Sequence, residues 1–555
     1  TSDIHSRLFP YRFVPGRIDQ DYGLLKDEGP YGGIARIGAI IKEQRARASR
    51  SLWLDSGDCF QGAPVFNQWR GEAEFRALSG LGLDGAVLGN HEFDGGSNNL
   101  YEQIVNWAGF PLLAANYYFE NPDAPTAPKL REVVQPFQFY DMDGVKVAAI
   151  GMANQSSMTS IFEGGNSLGI RPLDDAETVR SYVALLRPAA DLVVLVSHLG
   201  LDEDEGLAPS QVRDTNIALP AQGVDIIFGG HLHIVLNPPK TINVDENGHP
   251  TLLVHSGAFA KYVGRLDVVV RMGEDNADPT RRSYVKAFTY DNLPVSCGAR
   301  ARPEDPCPNP ADVETTALLQ EYALELQRMM DLDGVFAYVN APKEAKIMRS
   351  HASGGDSQLG NLVARAMQRR PGVDADYAIT NSLAIRADFE HGPLTLEDMY
   401  NVFPFENSIT IMFLSGVEVR ETLDFVARKS SERGCRVQAQ IAGLSFKMVC
   451  GAEPHAEDIY IGDGCRKSDG SIDTDACREL VDEGLYRVAV NDYIAAGGSG
   501  FRVLKSNTSK QNTGIALRAA LVDYLRSFPD CDPTLPDATD PGRTILEKYG
   551  PIPCL

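Results

Sequence analysis

An amide oxygen, an imidazole and a carboxylate arrive together in Leu88-Gly89-Asn90-His91-Glu92-Phe93-Asp94. An amide oxygen is a neutral hard ligand, suited to a cation that already has anionic ligands nearby. His91 can then face a substrate while Asp94 orients its ring. The apolar run Gly85-Ala86-Val87-Leu88 ahead of them reads as a strand. A strand end leading into a polar turn is where α/β sheets expose chemistry on a rigid base. A surface turn and a capped helix explain an isolated Asn-His-Glu equally well, so the reading depends on what ends the other strands.

Several other apolar runs end the same way. Ser51-Leu52-Trp53-Leu54 leads to Asp55-Ser56-Gly57-Asp58, with Asp58 as the candidate ligand and Asp55 as a brace for the turn. Asp191-Leu192-Val193-Val194-Leu195-Val196-Ser197 ends on His198, and Val224-Asp225-Ile226-Ile227-Phe228 on Gly229-Gly230-His231-Leu232-His233. Continuous apolar runs are the mark of parallel strands buried on both faces. The helical stretch from Glu72 to Leu81 between two of them gives a β-α-β rhythm. Asp3-Ile4-His5, if extended, puts a carboxylate and an imidazole on one face. Each signal is weak alone. Together they supply seven N and O donors, more than one tetrahedral ion takes. No thiolate is among them, which favours zinc, manganese or iron. Two ions ~3.5–4 Å apart are a common device for phosphoester hydrolysis, since they ready water as a nucleophile and neutralise phosphoryl charge.

The ordered set Asp3-x-His5, Gly57-Asp58, Gly89-Asn90-His91-Glu92, His198 and Gly230-His231-x-His233 resembles the five blocks of the calcineurin-like metallophosphoesterases. The resemblance implies an α/β N-terminal domain, a β-sandwich flanked by helices, over residues 1–295. It implies that Asp3, His5, Asp58 and His233 hold one ion and that Asp58, Asn90, His198 and His231 hold the other. His91 then stabilises the transition state or protonates the leaving oxygen, oriented by Asp94. The expected cofactors are two divalent ions, zinc or manganese ahead of iron, cobalt, magnesium or calcium.

A proline-rich, cysteine-bounded joint at 303–310 and a helical pattern from Ala311 to Met329 form an expected linker over 296–334. Strands and helices then mix over 335–555. Phe405 and Tyr493 are aromatics able to sandwich a planar base. The blocks Leu359-Gly360-Asn361-Leu362, Asn381-(x)3-Ile385-Arg386, Phe403-Pro404-Phe405-Glu406-Asn407 and Gly497-Gly498-x-Gly500-Phe501 resemble the C-terminal substrate domain of 5′-nucleotidases. That resemblance implies a separate α+β domain that rotates to load substrate. Asn381 and Arg386 contact substrate in it, and Phe405 and Tyr493 stack the base. Arg349 corresponds to a further phosphate-binding arginine if His351–Gly355 contains an insertion. Two departures stand out. Ser499 occupies the place of an aspartate that holds ribose hydroxyls in the family. Ser382-Leu383-Ala384 replaces a triglycine turn. The expected reaction is phosphate release from nucleoside 5′-monophosphates. UDP-sugars, 2′,3′-cyclic nucleotides and non-nucleotide phosphate esters are the alternatives, and a non-enzymatic binding protein is the remote one.

The 555 residues exceed one hydrophobic core, so at least two domains are expected. The composition, 43% hydrophobic and 23% charged, is that of a globular protein, with no apolar run able to span a membrane. A net charge of −23 disfavours nucleic acid as a partner, and an anionic substrate such as the small phosphate ester that the resemblance implies needs a local positive field. Eight of nine cysteines fall as near neighbours: Cys297 and Cys307, Cys435 and Cys450, Cys465 and Cys477, Cys531 and Cys554. Sequential pairing into short loops is expected, with Cys59 a buried free thiol. Disulfides imply an oxidising setting: periplasm, cell surface or extracellular medium. The opening Thr1-Ser2-Asp3-Ile4-His5 is read as following a removed signal peptide or a late start of the numbering, so this expectation rests on the cysteines.

Overall fold

The apolar runs that end in candidate ligands become strands of two sheets. The computed structural model describes residues 1–119, 129–155, 170–207, 223–244, 247–302, 304–340, 346–465, 467, 471–531 and 551–555. Pro303, the start of the expected joint, lies outside them. The chain divides into two units, Thr1–Leu326 and Gln327–Leu555.

In the first unit, β1 (Leu54–Asp55), β2 (Gly85–Val87), β3 (Leu112–Leu113) and β4 (Val134–Gln135) form a parallel sheet in that order. The second sheet contains β5 (Phe137–Asp141), β6 (Lys146–Met152), β7 (Leu192–Ser197), β8 (Ile226–Gly229), β9 (Lys240–Val244) and β10 (Pro250–His255). Its order is β9-β10-β8-β7-β6-β5, parallel at the centre and antiparallel at both edges.

Side chains alternate across a strand, and here both faces are covered. Ala149, Val194 and Val196 join Val87, Leu112 and Leu113 in the core between the sheets. Ile150, Val193 and Leu195 face the other way, onto Val179, Val183 and Leu186 of helix α3 (Asp175–Leu186). Helices α1 (Ile34–Arg47) and α2 (Glu72–Gly80) add Ile34, Ile37, Phe75 and Leu78 to the inter-sheet core. The expected sandwich with flanking helices is what forms. Helix α4 (Leu201–Leu207) follows β7. A two-stranded ribbon, β11 (Tyr262–Arg271) with β12 (Tyr284–Pro294), completes the set that bears on the site. Helix α5 (Val313–Met329), expected within a linker, packs Leu319, Tyr322 and Leu326 into the core of the first unit.

Glu74, on α2, is fully buried in this core. Burial pushes its carboxyl up to about 7. The folded chain therefore binds a proton that the unfolded chain has released across the window from about 4.5 to about 7. The stability associated with that proton is present below the window and lost as pH rises through it. Glu74→Gln removes the titration. Urea unfolding is expected to show the variant gaining on the wild type by ~2–3 kcal/mol between about pH 4 and pH 8. A pH-independent difference contradicts this.

The second unit has a five-stranded mixed sheet: β13 (Tyr377–Asn381), β14 (Ser408–Ser415), β15 (Ala439–Ala442), β16 (Leu485–Asn491) and β17 (Gln511–Ala516), in the order β15-β13-β16-β14-β17. Only β13 and β16 run parallel. Helix α6 (Gln358–Arg369), capped by Ser357, covers Ala378, Ile409 and Ala489 with Leu359, Val363 and Met367. Helix α7 (Gly416–Glu432) opens with a Ser415/Glu418 capping box and covers Ile379, Met412 and Val488 with Val419, Leu423 and Val426. The four disulfides are Cys297–Cys307, Cys435–Cys450, Cys465–Cys477 and Cys531–Cys554, the sequential pairing. Cys59 is free and buried. No helix among the described residues is long and apolar enough to cross a membrane.

Candidate metal centre

Strand β1 runs out at Asp55 and turns through Ser56 and Gly57 to Asp58. β2 leads to Asn90 and His91, β7 to His198, and β8 to His231 and His233. The N-terminal segment lies along the β1 turn. Asp3 N–H donates to Gly57 O (2.9 Å), His5 N–H to Asp58 O (3.0 Å) and Ser6 N–H to Cys59 O (2.8 Å). The expected extended Asp3-Ile4-His5 is corrected by this geometry: Asp3 and His5 take left-handed backbone angles, φ 50° and 52°. Asp58, His231 and His233 are left-handed too, φ 57°, 75° and 58°. Five of the seven candidate ligands thus sit in a conformation that costs a residue with a Cβ ~1–3 kcal/mol. The surrounding hydrogen bonds hold them there.

The donors converge. Asp3, His5 and His233 bring ligand atoms within 4.8 Å of one another, as do His5, Asp58 and His91, and Asp58, His198 and His231. His198 Nε2 is 2.9 Å from Asp58 Oδ2, and His233 Nε2 is 3.4 Å from Asp3 Oδ1. The Nε2 atoms of His5 and His233 face each other at 2.9 Å. His5 Nδ1–H donates to Gln61 O (2.7 Å) and His198 Nδ1–H to Ser56 O (2.5 Å). Each carbonyl fixes a tautomer and leaves Nε2 as the ligating atom, the usual way a metal-binding histidine is held. His91 donates its backbone N–H to Asp58 Oδ1 (2.8 Å) and its Nδ1–H to Asp94 Oδ2 (2.8 Å).

Burial raises the Asp3 carboxyl to about 7, opposed by His198 and reinforced by Asp58. His198 is buried as well, yet Asp58 pushes its imidazolium up to about 10. Against its own burial, the Asp58 carboxyl is held well below the usual range by His198. Asp58 and His198 are therefore a buried ion pair with a proton that a divalent cation can replace.

Two residues at the site carry roles that no motif reading assigned. Glu92, fully buried, accepts the backbone N–H groups of Asp58 (3.0 Å), Cys59 (2.8 Å), Phe60 (3.3 Å) and Gly89 (2.6 Å). It ties the β1 turn to the β2 turn. Its signal was its place inside the Asn-His-Glu block. At Gly89 a Cβ would lie 2.2 Å from Asp58 Oδ1, so the two turns approach closely enough to require glycine. Phe259, after β10, donates its N–H to Asp3 O (2.7 Å) and lays its ring 5.2 Å from His5 and 4.7 Å from His233. No sequence signal marked it.

In the second unit the named residues cluster at one end of the sheet, because parallel β13 and β16 end where antiparallel β14 begins. Asn381 Oδ1 accepts from Asn491 Nδ2 (2.8 Å). Arg349 donates to Ile385 O (3.2 Å), which places it beside Arg386, and Arg386 lies 5.8 Å from the Phe405 ring centroid. Asn407 and Ser408 both donate to Asp492 (2.8 Å each), joining the Phe405 turn to Tyr493. Ser499 donates its N–H to the Tyr493 hydroxyl (3.0 Å). Leu383 is half exposed at the β13 end.

A sandwich whose strand ends gather carboxylate, imidazole and amide donors around one buried aspartate is the site of a metal-dependent phosphoric ester hydrolase. Residues 1–235 match the calcineurin-like phosphoesterase family and residues 335–506 the 5′-nucleotidase C-terminal domain. The chain belongs to the family that joins these two domains. It is 28% identical to a 5′-nucleotidase of Vibrio parahaemolyticus over 91% of this chain and 87% of that one. It is 24% identical to the snake venom 5′-nucleotidase of Naja atra over 96% of both. The crystal structure of a 5′-nucleotidase precursor from Thermus thermophilus superposes with a TM-score of 0.74 at 27% identity, covering 95% of each chain.

The first domain implies divalent metal ions. The residues present fit them. Asn90 Oδ1 is a buried oxygen that no hydrogen-bond donor among the described residues reaches. Asp3 and Asp58 are two buried carboxylates that face the same imidazole, His198. An unpaired buried oxygen beside uncompensated acid is costly unless a cation serves both.

Proposed function

We propose that the chain hydrolyses nucleoside 5′-monophosphates at a centre of two divalent ions, zinc or manganese. The observation that carries this is the three overlapping donor sets that gather six of the seven candidate ligands, Asp3, His5, Asp58, His198, His231 and His233, together with the buried Asn90 Oδ1 that no hydrogen-bond donor among the described residues reaches. Asp3, His5, Asp58 and His233 hold one ion, and Asp58, Asn90, His198 and His231 the other. When bound, such ions supply a nucleophilic water at neutral pH and neutralise phosphoryl charge. In the reaction a water oxygen bonds to phosphorus, the ester P–O bond breaks, and the products are a nucleoside and inorganic phosphate. His91, with Nδ1–H held by Asp94, donates Nε2–H to the phosphoryl oxygens or delivers that proton to the leaving oxygen. Its half-buried position, next to Asp58 through its own backbone N–H, supports that role.

Residues 1–295 carry the metal chemistry, 335–555 the organic part of the substrate, and 296–334 joins them. Arg349 and Arg386 supply the local positive charge that an acidic chain must concentrate for an anionic substrate. Phe405 and Tyr493 take the base, and Asn381 fixes its edge. A second reading keeps the metal centre and changes the ester to a UDP-sugar, a 2′,3′-cyclic nucleotide or a non-nucleotide phosphate. It is favoured by Ser499, whose N–H is engaged with Tyr493, and by the bulk of Leu383. The four disulfides support a periplasmic, cell-surface or extracellular setting.

Phosphate release from AMP, glycerophosphate, UDP-glucose and 2′,3′-cyclic AMP, with and without added Zn²⁺ or Mn²⁺, tests both readings. AMP is expected to lead by ~10-fold or more in kcat/KM, with activity lost to a chelator and restored by metal. Equal rates on AMP and glycerophosphate favour the second reading. Activity unaffected by chelation overturns both.

A further inference from the structure

Beneath the second ion's ligands lies a polar group that the reaction does not use. Ser197, the last residue of β7, precedes His198, and its hydroxyl donates to Asp204 Oδ1 of helix α4 (2.5 Å). Asp204 is fully buried, and its other oxygen, Oδ2, has no hydrogen-bond partner among the described residues. It lies 3.7 Å from Nε2 of His255, the last residue of β10. His255 is buried too, and neither of its ring nitrogens has a hydrogen-bond partner among the described residues. Between the two stands Gly229, paired in register with His255 at the end of β8 and two residues before His231. A Cβ on Gly229 would lie 2.2 Å from His255 Nε2 and 2.6 Å from Asp204 Oδ2. The absence of a side chain there lets a carboxylate and an imidazole meet across the strand that leads to His231.

We propose that Asp204 and His255 are positioning residues that clamp the ends of β7, β8 and β10 and so set the affinity of the ion held by His198 and His231. A carboxylate and an imidazole with unused hydrogen-bonding capacity are costly to bury unless they engage each other. A small rotation of either ring or carboxylate closes the contact from 3.7 Å. Closed, it joins the end of β10 to that of β7 across β8, through His255, Asp204 and Ser197, one or two residues from two ligands. Outer groups of this kind commonly change metal affinity ~10–100-fold. The inference rests on the metal centre of the proposed function.

Calorimetric titration of the chelator-stripped full chain with Zn²⁺ tests it, alongside melting of the ion-free protein. Wild type is expected to bind two ions. His198→Ala loses one. Asp204→Asn, which keeps the side-chain volume and an acceptor for Ser197, and His255→Ala are each expected to weaken one ion ~10-fold or more while the other is unchanged. His255→Gln, which keeps a donor at the contact, restores most of the affinity. A purely structural role lowers the melting temperature of the ion-free protein with no selective loss of one ion. Wild-type affinity for both ions in Asp204→Asn and His255→Ala overturns the proposal. A wild type that binds no ion, or a His198→Ala variant that loses none, overturns the metal centre itself, and the clamp with it.

Discussion

Asp58→Ala is expected to lower kcat/KM for AMP by ~10³-fold or more and to leave the chain unable to hold two ions together. Asp58 belongs to two of the three donor sets that converge within 4.8 Å. One of its oxygens lies 2.9 Å from His198 Nε2, and the other accepts the backbone N–H of His91 (2.8 Å). It thereby links His198 to the turn that carries His91. Removing it takes away the carboxylate that two of the donor sets share, so the loss is not repaired by raising the metal concentration. Metal content measured on gel-filtered protein, with phosphate release at saturating Zn²⁺ and Mn²⁺, checks this. A variant that keeps both ions and activity within ~10-fold of wild type contradicts it.

His91→Ala is expected to lose ~10²–10⁴ in kcat while keeping both ions and nearly the same KM. The separation follows from position. His91 Nδ1–H is committed to Asp94 (2.8 Å), and its ring lies 5.2 Å from that of His5, at the rim of the donor set. If His91 delivers a proton to the leaving oxygen, an ester with a good leaving group needs it less. The loss on p-nitrophenyl phosphate is then smaller than on AMP. If it steadies phosphoryl charge, the two losses match. Asp94→Asn follows His91→Ala in direction with a smaller loss, because it removes orientation rather than the ring. Full activity in His91→Ala excludes either role.

The strand ends were legible because buried parallel strands must be apolar throughout, so a polar residue that ends such a run stands out. Asp58, Asn90, His198 and His231 all follow that rule. The disulfides were legible because each pair closes a short loop, and the four observed pairs are the neighbours in sequence. The conformation of Asp3 and His5 was not. An Asp-x-His reads as a strand by side-chain alternation, but three backbone hydrogen bonds to the β1 turn set its dihedrals, and those partners are some 50 residues away. The role of Glu92 was not legible for a related reason. A glutamate in a polar turn resembles any solvated acid until four N–H groups from two separate turns are seen to end on it. The long ribbon β11–β12 also went unread. Along residues 266–271 it alternates half-buried and exposed positions, which weakens the apolar signal that marks the central strands. In the second unit, Arg349 was readable only through an assumed insertion. What brings it beside Arg386 is a side-chain contact with the Ile385 carbonyl.

The most direct measurement is anomalous diffraction from crystals of the whole chain grown with Mn²⁺, recorded with the Asn90→Ala variant in parallel. Two separate peaks within coordination reach of Asp58 are expected in the wild type, and one of them is expected to fade or vanish when Asn90 is lost. No peak, or a single peak unaffected by Asn90→Ala at saturating metal, contradicts a two-ion hydrolytic centre.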